Sequence, residues 1–277
     1  MKNEPIRHHF IPQFILRNFS KDGITVHYYN KNHGKTSTIA IRDLFMERNL
    51  YRFEEELPDT PTQIESDLAR YEGQIANILK HKILSMQDVV LSPEEVDAVK
   101  LFLAIMGFRS AYTEQIVNDN IFVKNSWKHN LRYLVNCRSI DEVFVNDDID
   151  DAIKIFMRRD TEGIFGRYMV IVESPDEEGF VLGDAYPVAI TGMLYNGVPV
   201  PMYDIFPISP RRAILLACKG LDGAPRDVAQ MRELIFRPPS STPDGMTKIR
   251  VKRLHPEELN HLNTYIKQEA KTGYITI

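Results

Sequence analysis

No stretch of these 277 residues approaches the roughly 20 consecutive apolar residues that a membrane-spanning helix needs, so no membrane partner is expected. Met1 to Phe10 are polar and basic and lack the apolar core of a secretory signal, which makes a cytoplasmic location the expectation. Cysteine occurs only twice, at Cys137 and Cys218, far apart and outside any Cys-x-x-Cys spacing. That excludes a thiol metal cluster or dithiol redox motif of this type and leaves two buried free thiols in a reducing compartment. With 14 Gly, 16 Pro and 43% hydrophobic residues the chain is neither collagen-like nor compositionally disordered. Basic charge is not in excess either. The 34 basic and 38 acidic residues give a net −4, which excludes coating of nucleic acid by bulk charge and leaves only a local patch. Also missing are a phosphate-binding glycine loop, a dinucleotide fingerprint, a Gly-x-Ser-x-Gly elbow, a His-Glu-x-x-His helix and any internal repeat.

What is present has ordinary globular periodicity. Pro12 opens a short apolar helix ending near Phe19, because proline suits the first helical turn. Ile24 to Tyr29 and Thr36 to Ile41 read as two strands joined by the turn Asn32-His33-Gly34, and Leu50 to Phe53 as a third, short strand. Ile64, Leu68, Tyr71, Ile75 and Ile78 mark one apolar helical face after Thr60-Pro61. Ser92-Pro93-Glu94-Glu95 combines an N-cap, a first-position proline and a capping-box glutamate, and starts a second helix through Met106 toward Glu114. Further helices are expected over about 120–136 and 150–159, with the acid-rich stretch from Asp141 to Glu162 a solvated face. From Gly166 the period becomes that of strands: Tyr168 to Glu173, Phe180 to Leu182, Val188 to Thr191, Tyr203 to Phe206 and Ala213 to Cys218. Val228 to Ile235 and Pro256 to Ala270 return to helix, with a Pro238 to Ser241 loop between them. The expected class is α+β: an amino-terminal short helix and β-hairpin, a central helical layer, and a carboxy-terminal antiparallel-type sheet with flanking helices. A single domain over 1–277 is expected, with a hairpin region (1–60), a helical region (61–163) and a sheet region (164–277).

The segment from His8 to Phe19 concentrates the chemistry. His8 and His9 lie in extended chain just before the helix, where both rings can reach one cleft, and Gln13 and Arg17, four apart, share a helix face. Imidazole serves as a metal ligand or as a base near neutral pH, and arginine grips a phosphate or carboxylate through two parallel bonds. The plainer role is that the histidines tie down the terminus and Arg17 forms a structural ion pair.

The run His-His-x-x-Pro-Gln-Phe-x-Leu-Arg-x-Phe resembles the opening signature of the domain of unknown function family 4238. The likeness continues in order through Ile24 to Asn30, Asn49-Leu50-Tyr51, the helix bearing Glu65 and Glu72, and Phe102 to Arg109. Val181 to Val188 is similar to a Ser-Asp-Asn-Pro-Val element after a strand, and Pro207-Ile208-Ser209-Pro210 to a Pro-Leu-Ser-Pro element. Here Gly183 stands for the usual serine and Tyr186 for the residue before proline, so a role for that hydroxyl is absent. The resemblance implies a shared architecture and a shared cleft, and no activity.

Asp184, at a strand end, reads either as a turn-forming aspartate or as the carboxylate that orients His8 or His9. Arg109, at a helix end, either meets the helix dipole or enters the cleft. Glu65 and Glu72, seven apart on one helix face, read as a solvated stripe before they read as an acid–base pair. His8-His9-x-x-Pro also resembles the first half of a ββα-metal nuclease motif, with Asn30 and His33 available to complete it, but the helix comes too early for that spacing. The basic run Lys248 to Arg253 reads as a solvated strand.

Two functions fit. One is a hydrolase for a phosphodiester or nucleic acid, with His8, His9 and Asp184 catalytic, Gln13, Arg17 and Arg109 holding the substrate, and a divalent metal as the cofactor that histidines could ligate. The alternative is a non-catalytic module that binds an anionic small molecule or a protein partner in the same cleft.

Overall fold

A computed structural model describes residues 7–52, 62–109, 127–159, 163–175, 179–195, 198–217 and 239–276. The expected helix at Val228 to Ile235, together with Cys218, Phe53 and Thr60-Pro61, lies outside the described residues.

The chain opens with strand β1 (Arg7–His9) and helix α1 (Gln13–Asn18), and Pro12 stands immediately before the helix as its N-cap. The hairpin β2 (Thr25–Asn30) and β3 (Lys35–Ala40) follows, its turn closed by Gly34 at φ +59°, a left-handed value that suits glycine. Asn30 Oδ1 accepts from the N–H groups of Asn32 and His33, so the asparagine that could have completed a nuclease motif holds the hairpin turn. The strand that follows the hairpin is β4 (Met46–Arg48), and 50–52 are not part of a strand. Asn49, at φ +60°, turns the chain at the end of β4, so Leu50 and Tyr51 lie in a turn. β1 and β4 pair antiparallel with His8 opposite Glu47 and His9 opposite Met46.

Helix α2 (Gln63–Ile78) starts at Thr62, whose side chain accepts from the Glu65 N–H, and runs into a π-helical turn at Leu79–Ile83. Strand β5 (Asp88–Leu91) leads to α3 (Pro93–Arg109), capped by the reciprocal Ser92–Glu95 bonds that the capping box implies. Val99 to Met106 are all buried, so α3 is enclosed on every side rather than along one stripe. Its buried Lys100 donates to the carbonyls of Phe165 and Arg167, which satisfies the ammonium. Helices α4 (Trp127–Leu134), α5 (Ile140–Val145) and α6 (Asp151–Met157) also belong to the helical layer. Cys137 is a buried free thiol there, pushed up to about 11 by burial and by Glu142.

The larger sheet contains β6 (Tyr168–Glu173), β8 (Val188–Tyr195), β9 (Val198–Pro207), β10 (Arg212–Ala217), β11 (Ser240–Ser241) and β12 (Thr247–Arg253) in the order β11-β12-β6-β10-β9-β8, with β5 also on β12. It is mixed, because β12 runs parallel to β6. Both faces are covered. Met169, Ile171, Ile214 and Leu216 join the main core, while Val170, Val172, Ala213 and Leu215 pack with Leu259, Leu262 and Ile266 of helix α7 (Pro256–Glu269). This explains why these strands read as continuous apolar runs, each buried side chain contributing about 1.5–3 kcal/mol.

Strand β13 (Gly273–Thr276) joins the two ends of the chain: it pairs with β2 on one side and with β7 (Leu182–Gly183) on the other, giving the order β3-β2-β13-β7. Lys31, just past β2, donates through Nζ to the carbonyls of Lys267, Gln268 and Ala270 and so caps α7. Lys31→Met should cost about 1 kcal/mol, a few degrees in Tm. Thermal unfolding with no change in Tm would show that the cap contributes nothing. No helix of the described residues is long and apolar enough to cross a membrane.

Candidate functional site

Successive residues of a strand face opposite ways, and the rings of His8 and His9 engage different neighbours accordingly. His8 is buried; its Nδ1 accepts from the Tyr51 N–H at 2.9 Å and its ring stacks on Tyr51, with centroids 5.2 Å apart and 13° between planes. The turn at Asn49 is what brings that N–H to the imidazole. His9 is also buried, with Nε2 3.4 Å from the Ile41 carbonyl and Nδ1 3.4 Å from Gln13 Nε2. Gln13 in turn accepts at Oε1 from Arg17 Nη2 at 2.9 Å. Burial lowers the His9 pKa and the nearby Arg109 cation adds to this, against the opposing Ile41 carbonyl and Glu72, so the ring is neutral at pH 7.

Arg109 reaches the same place from the end of α3. It is 2% exposed and uses all three nitrogens: Nε donates to Tyr51 Oη at 3.1 Å, Nη2 to the His9 carbonyl at 2.8 Å, and Nη1 to Glu72 Oε1. Burial works against its charge, but Tyr51 and Glu72 more than offset this and its pKa is raised. Tyr51 Oη also donates to the His9 carbonyl, and burial pushes the phenol up to about 12. Arg109 therefore clamps α2, α3, β1 and the Tyr51 turn together.

Glu65 lies two turns before Glu72 on α2 and behaves differently. Its Oε2 is buried without a hydrogen-bond partner, and burial pushes its carboxyl up to about 7. Arg109 lowers that value and Glu72 raises it, so all three groups share one electrostatic environment. A carboxyl so perturbed beside a specific charge partner marks a candidate functional site. The solvated-stripe reading of Glu65 and Glu72 is thus corrected: the buried Arg109, thirty-seven positions past Glu72, pairs with Glu72 and lies within electrostatic reach of Glu65.

The structure brings His9, Gln13, Arg17 and Arg109 into one connected polar network, with His8 joined to it through Tyr51. Asp184 is 1% exposed and its hydrogen bonds run to a different place. Oδ1 accepts from the Lys271 N–H at 2.7 Å, and Oδ2 from the Thr272 N–H and hydroxyl at 2.7 and 2.6 Å. These bonds tie β7 to the turn between α7 and β13, the work of a turn-holding aspartate. Tyr51 is the site residue that sequence reasoning passed over, and Glu65 and Glu72 are the ones it read first as a solvated stripe. Among the described residues no three His, Cys, Asp or Glu side chains are grouped to hold a metal ion.

Because Glu65 binds its proton more tightly folded than unfolded, its own contribution to stability is full below about pH 4.5 and is lost as pH rises through about 7. Glu65→Gln, which mimics the protonated form, should therefore be more stable than the wild type at pH 8, by about 2 kcal/mol, and nearly equal to it at pH 4. Equal urea midpoints at pH 8 would count against a raised Glu65.

Comparison with family models matches residues 7–275 to one described as a protein of unknown function, DUF4238. No curated protein and no solved structure matches the chain.

Proposed function

The chain belongs to the DUF4238 family of proteins of unknown function, and from that premise we propose that it is a hydrolase for an anionic ester of the phosphodiester class, with Glu65 as its acid–base group. The observation that carries this reading is the Glu65 carboxyl, at about 7, with a buried and unpartnered Oε2 beside the Arg109 cation. A group that titrates near neutrality can both take and return a proton at working pH. As the carboxylate it would remove a proton from water while the water oxygen bonds to phosphorus, the ester P–O bond breaks, and the leaving alkoxide is protonated by solvent.

In this reading His8 and His9 are positioning groups. Each accepts a hydrogen bond at Nδ1, so the neutral ring carries its proton on Nε2 and has no lone pair left for a substrate proton. Arg109 supplies a fixed positive field, since its nitrogens are engaged inside the protein. Arg17, exposed on α1, is the arginine of this network that is available to meet an anion. The commitment of both histidines also favours the second reading, capture of an anionic ligand without turnover.

Bis(4-nitrophenyl) phosphate and single- and double-stranded oligonucleotides are the substrates to offer. Turnover is expected to rise with pH through about 7 and to drop about 100-fold or more in Glu65→Gln, with the fold intact. Turnover indifferent to Glu65→Gln removes the proposed acid–base role. Binding of phosphate with no ester cleaved moves the protein to the second reading.

A further inference from the structure

We propose that Gln13 is a positioning residue: it holds the exposed guanidinium of Arg17 in one orientation for a phosphate-bearing ligand, and its own amide is oriented by His9 and the Ile41 carbonyl. The ligand class rests on the anion-binding reading above, whereas the orientation of the amide stands on geometry alone.

The polarity of this chain of contacts is fixed from both ends. Arginine has only donors, so the atom of Gln13 that meets Arg17 Nη2 at 2.9 Å must be the carbonyl oxygen. The amide nitrogen then faces His9 Nδ1, which must present a lone pair. A neutral imidazole with a lone pair at Nδ1 carries its proton on Nε2, and Nε2 lies 3.4 Å from the Ile41 carbonyl, which can only accept. Ile41 is held in turn, its N–H donating to the Ile24 carbonyl at 2.9 Å where the β2–β3 hairpin ends. Turning the Gln13 amide over would set donor against donor at Arg17 and oxygen against lone pair at His9. Both contacts would be lost together, so one amide orientation is selected.

The outward end of the relay is suited to an anion. Among the described residues Arg17 makes this bond through one nitrogen, which leaves its other N–H groups for solvent or ligand. A long exposed arginine pays considerable rotamer entropy on binding; one already held by Gln13 has less to lose per bond formed. The one-turn spacing of Gln13 and Arg17 on α1 makes the contact possible, and the buried Ile15 and Leu16 fix that helix on the core.

The test uses the full chain labelled with nitrogen-15, reading the Arg17 Nε–Hε signal and the His9 ring nitrogens, with inorganic phosphate as the probe. The wild type is expected to show a dispersed Arg17 signal that shifts with phosphate, and a His9 ring protonated on Nε2. In Gln13→Met the Arg17 signal should collapse toward that of a free arginine and phosphate affinity should fall about fivefold, roughly one hydrogen bond's worth. His9→Asn, which keeps an acceptor near the Nδ1 position, should preserve the Arg17 signal, whereas His9→Leu should lose it. Should the His9 variants fail to fold, Gln13→Met, half-exposed on the surface of α1, still decides. An Arg17 signal unchanged in Gln13→Met, or a His9 proton on Nδ1, overturns the relay. A wild type whose Arg17 signal depends on Gln13 but ignores phosphate upholds the relay and rejects the anionic ligand.

Discussion

Arg109→Met is expected to destabilise the protein by about 3–5 kcal/mol, on the order of 10 °C in Tm, because it strands a buried hydroxyl, a buried carbonyl and a half-buried carboxylate. The methionine would fill much of the same volume, so the loss is electrostatic more than steric. Glu72 would lose its cation, and Tyr51 Oη and the His9 carbonyl would lose a charged donor. The partner substitution separates these terms. Arg109→Met with Glu72→Met removes both charges, and should be destabilised by clearly less than the sum of the two single changes, since no carboxylate is then left unpaired. Urea unfolding of the four proteins measures the coupling. Additive losses, or an Arg109→Met variant within about 1 kcal/mol of the wild type, would mean that the clamp does not hold the helices. Arg109 was read as a cleft residue or a helix-dipole partner; the bonds put it at the junction of four elements, so loss of activity in this variant says nothing about catalysis unless stability is measured beside it.

Asp184→Ala is the second large effect, about 3–5 kcal/mol. It removes a buried acceptor of two backbone N–H groups and a hydroxyl, the last belonging to Thr272, which also meets Tyr28 Oη at 2.8 Å. The loss should be local before it is global. Amide exchange at Lys271 and Thr272 should quicken most, then along β13, with the α2–α3 pair little affected. A folded Asp184→Ala protein with unaltered exchange at these amides would refute the anchoring role. The same experiment bears on catalysis, because an aspartate that orients a histidine would disturb His8 or His9 signals without loosening β13.

Much of the frame was legible where the cause is local. The Ser92–Glu95 capping box lies within four residues and formed as written. The hairpin turn at Gly34 and the strand Tyr168 to Glu173 carry their own signals, a left-handed glycine and an apolar β-branched run. The error at Leu50 to Phe53 also has a local cause, the left-handed Asn49, but asparagine adopts that conformation too rarely for one residue to announce it. β13 was missed because four residues bounded by glycine say little, and its partners lie at the other end of the chain. Gly273 itself is explained only by the sheet, where a Cβ would collide with the Tyr29 carbonyl.

The candidate site was legible in its first half. A His-His pair ahead of a proline-led helix, with Gln and Arg one turn apart, named four of the residues that the network contains. Glu65 and Glu72 escaped because a polar stripe on a helix looks the same whether it faces water or a buried guanidinium. What distinguishes the two is Arg109, and nothing in the sequence says that α3 ends against α2. Tyr51 escaped for a similar reason: its hydroxyl and its backbone N–H both act at the histidines, yet only the fold brings the turn after β4 under β1.

The pairing of β2 with β13 also orders events during synthesis. Tyr28 and Thr272, in contact in the finished protein, are 244 positions apart. At about 5–20 residues per second, the hairpin waits roughly 10–50 s on the ribosome for its third strand, and an isolated two-stranded hairpin is only marginally stable in water. Through that interval β2 has an unpaired edge, open to any passing strand. A nascent chain halted before β13 would therefore be a substrate for chaperones and proteases even though the described strands of its large sheet, the last of which ends at Arg253, were already translated.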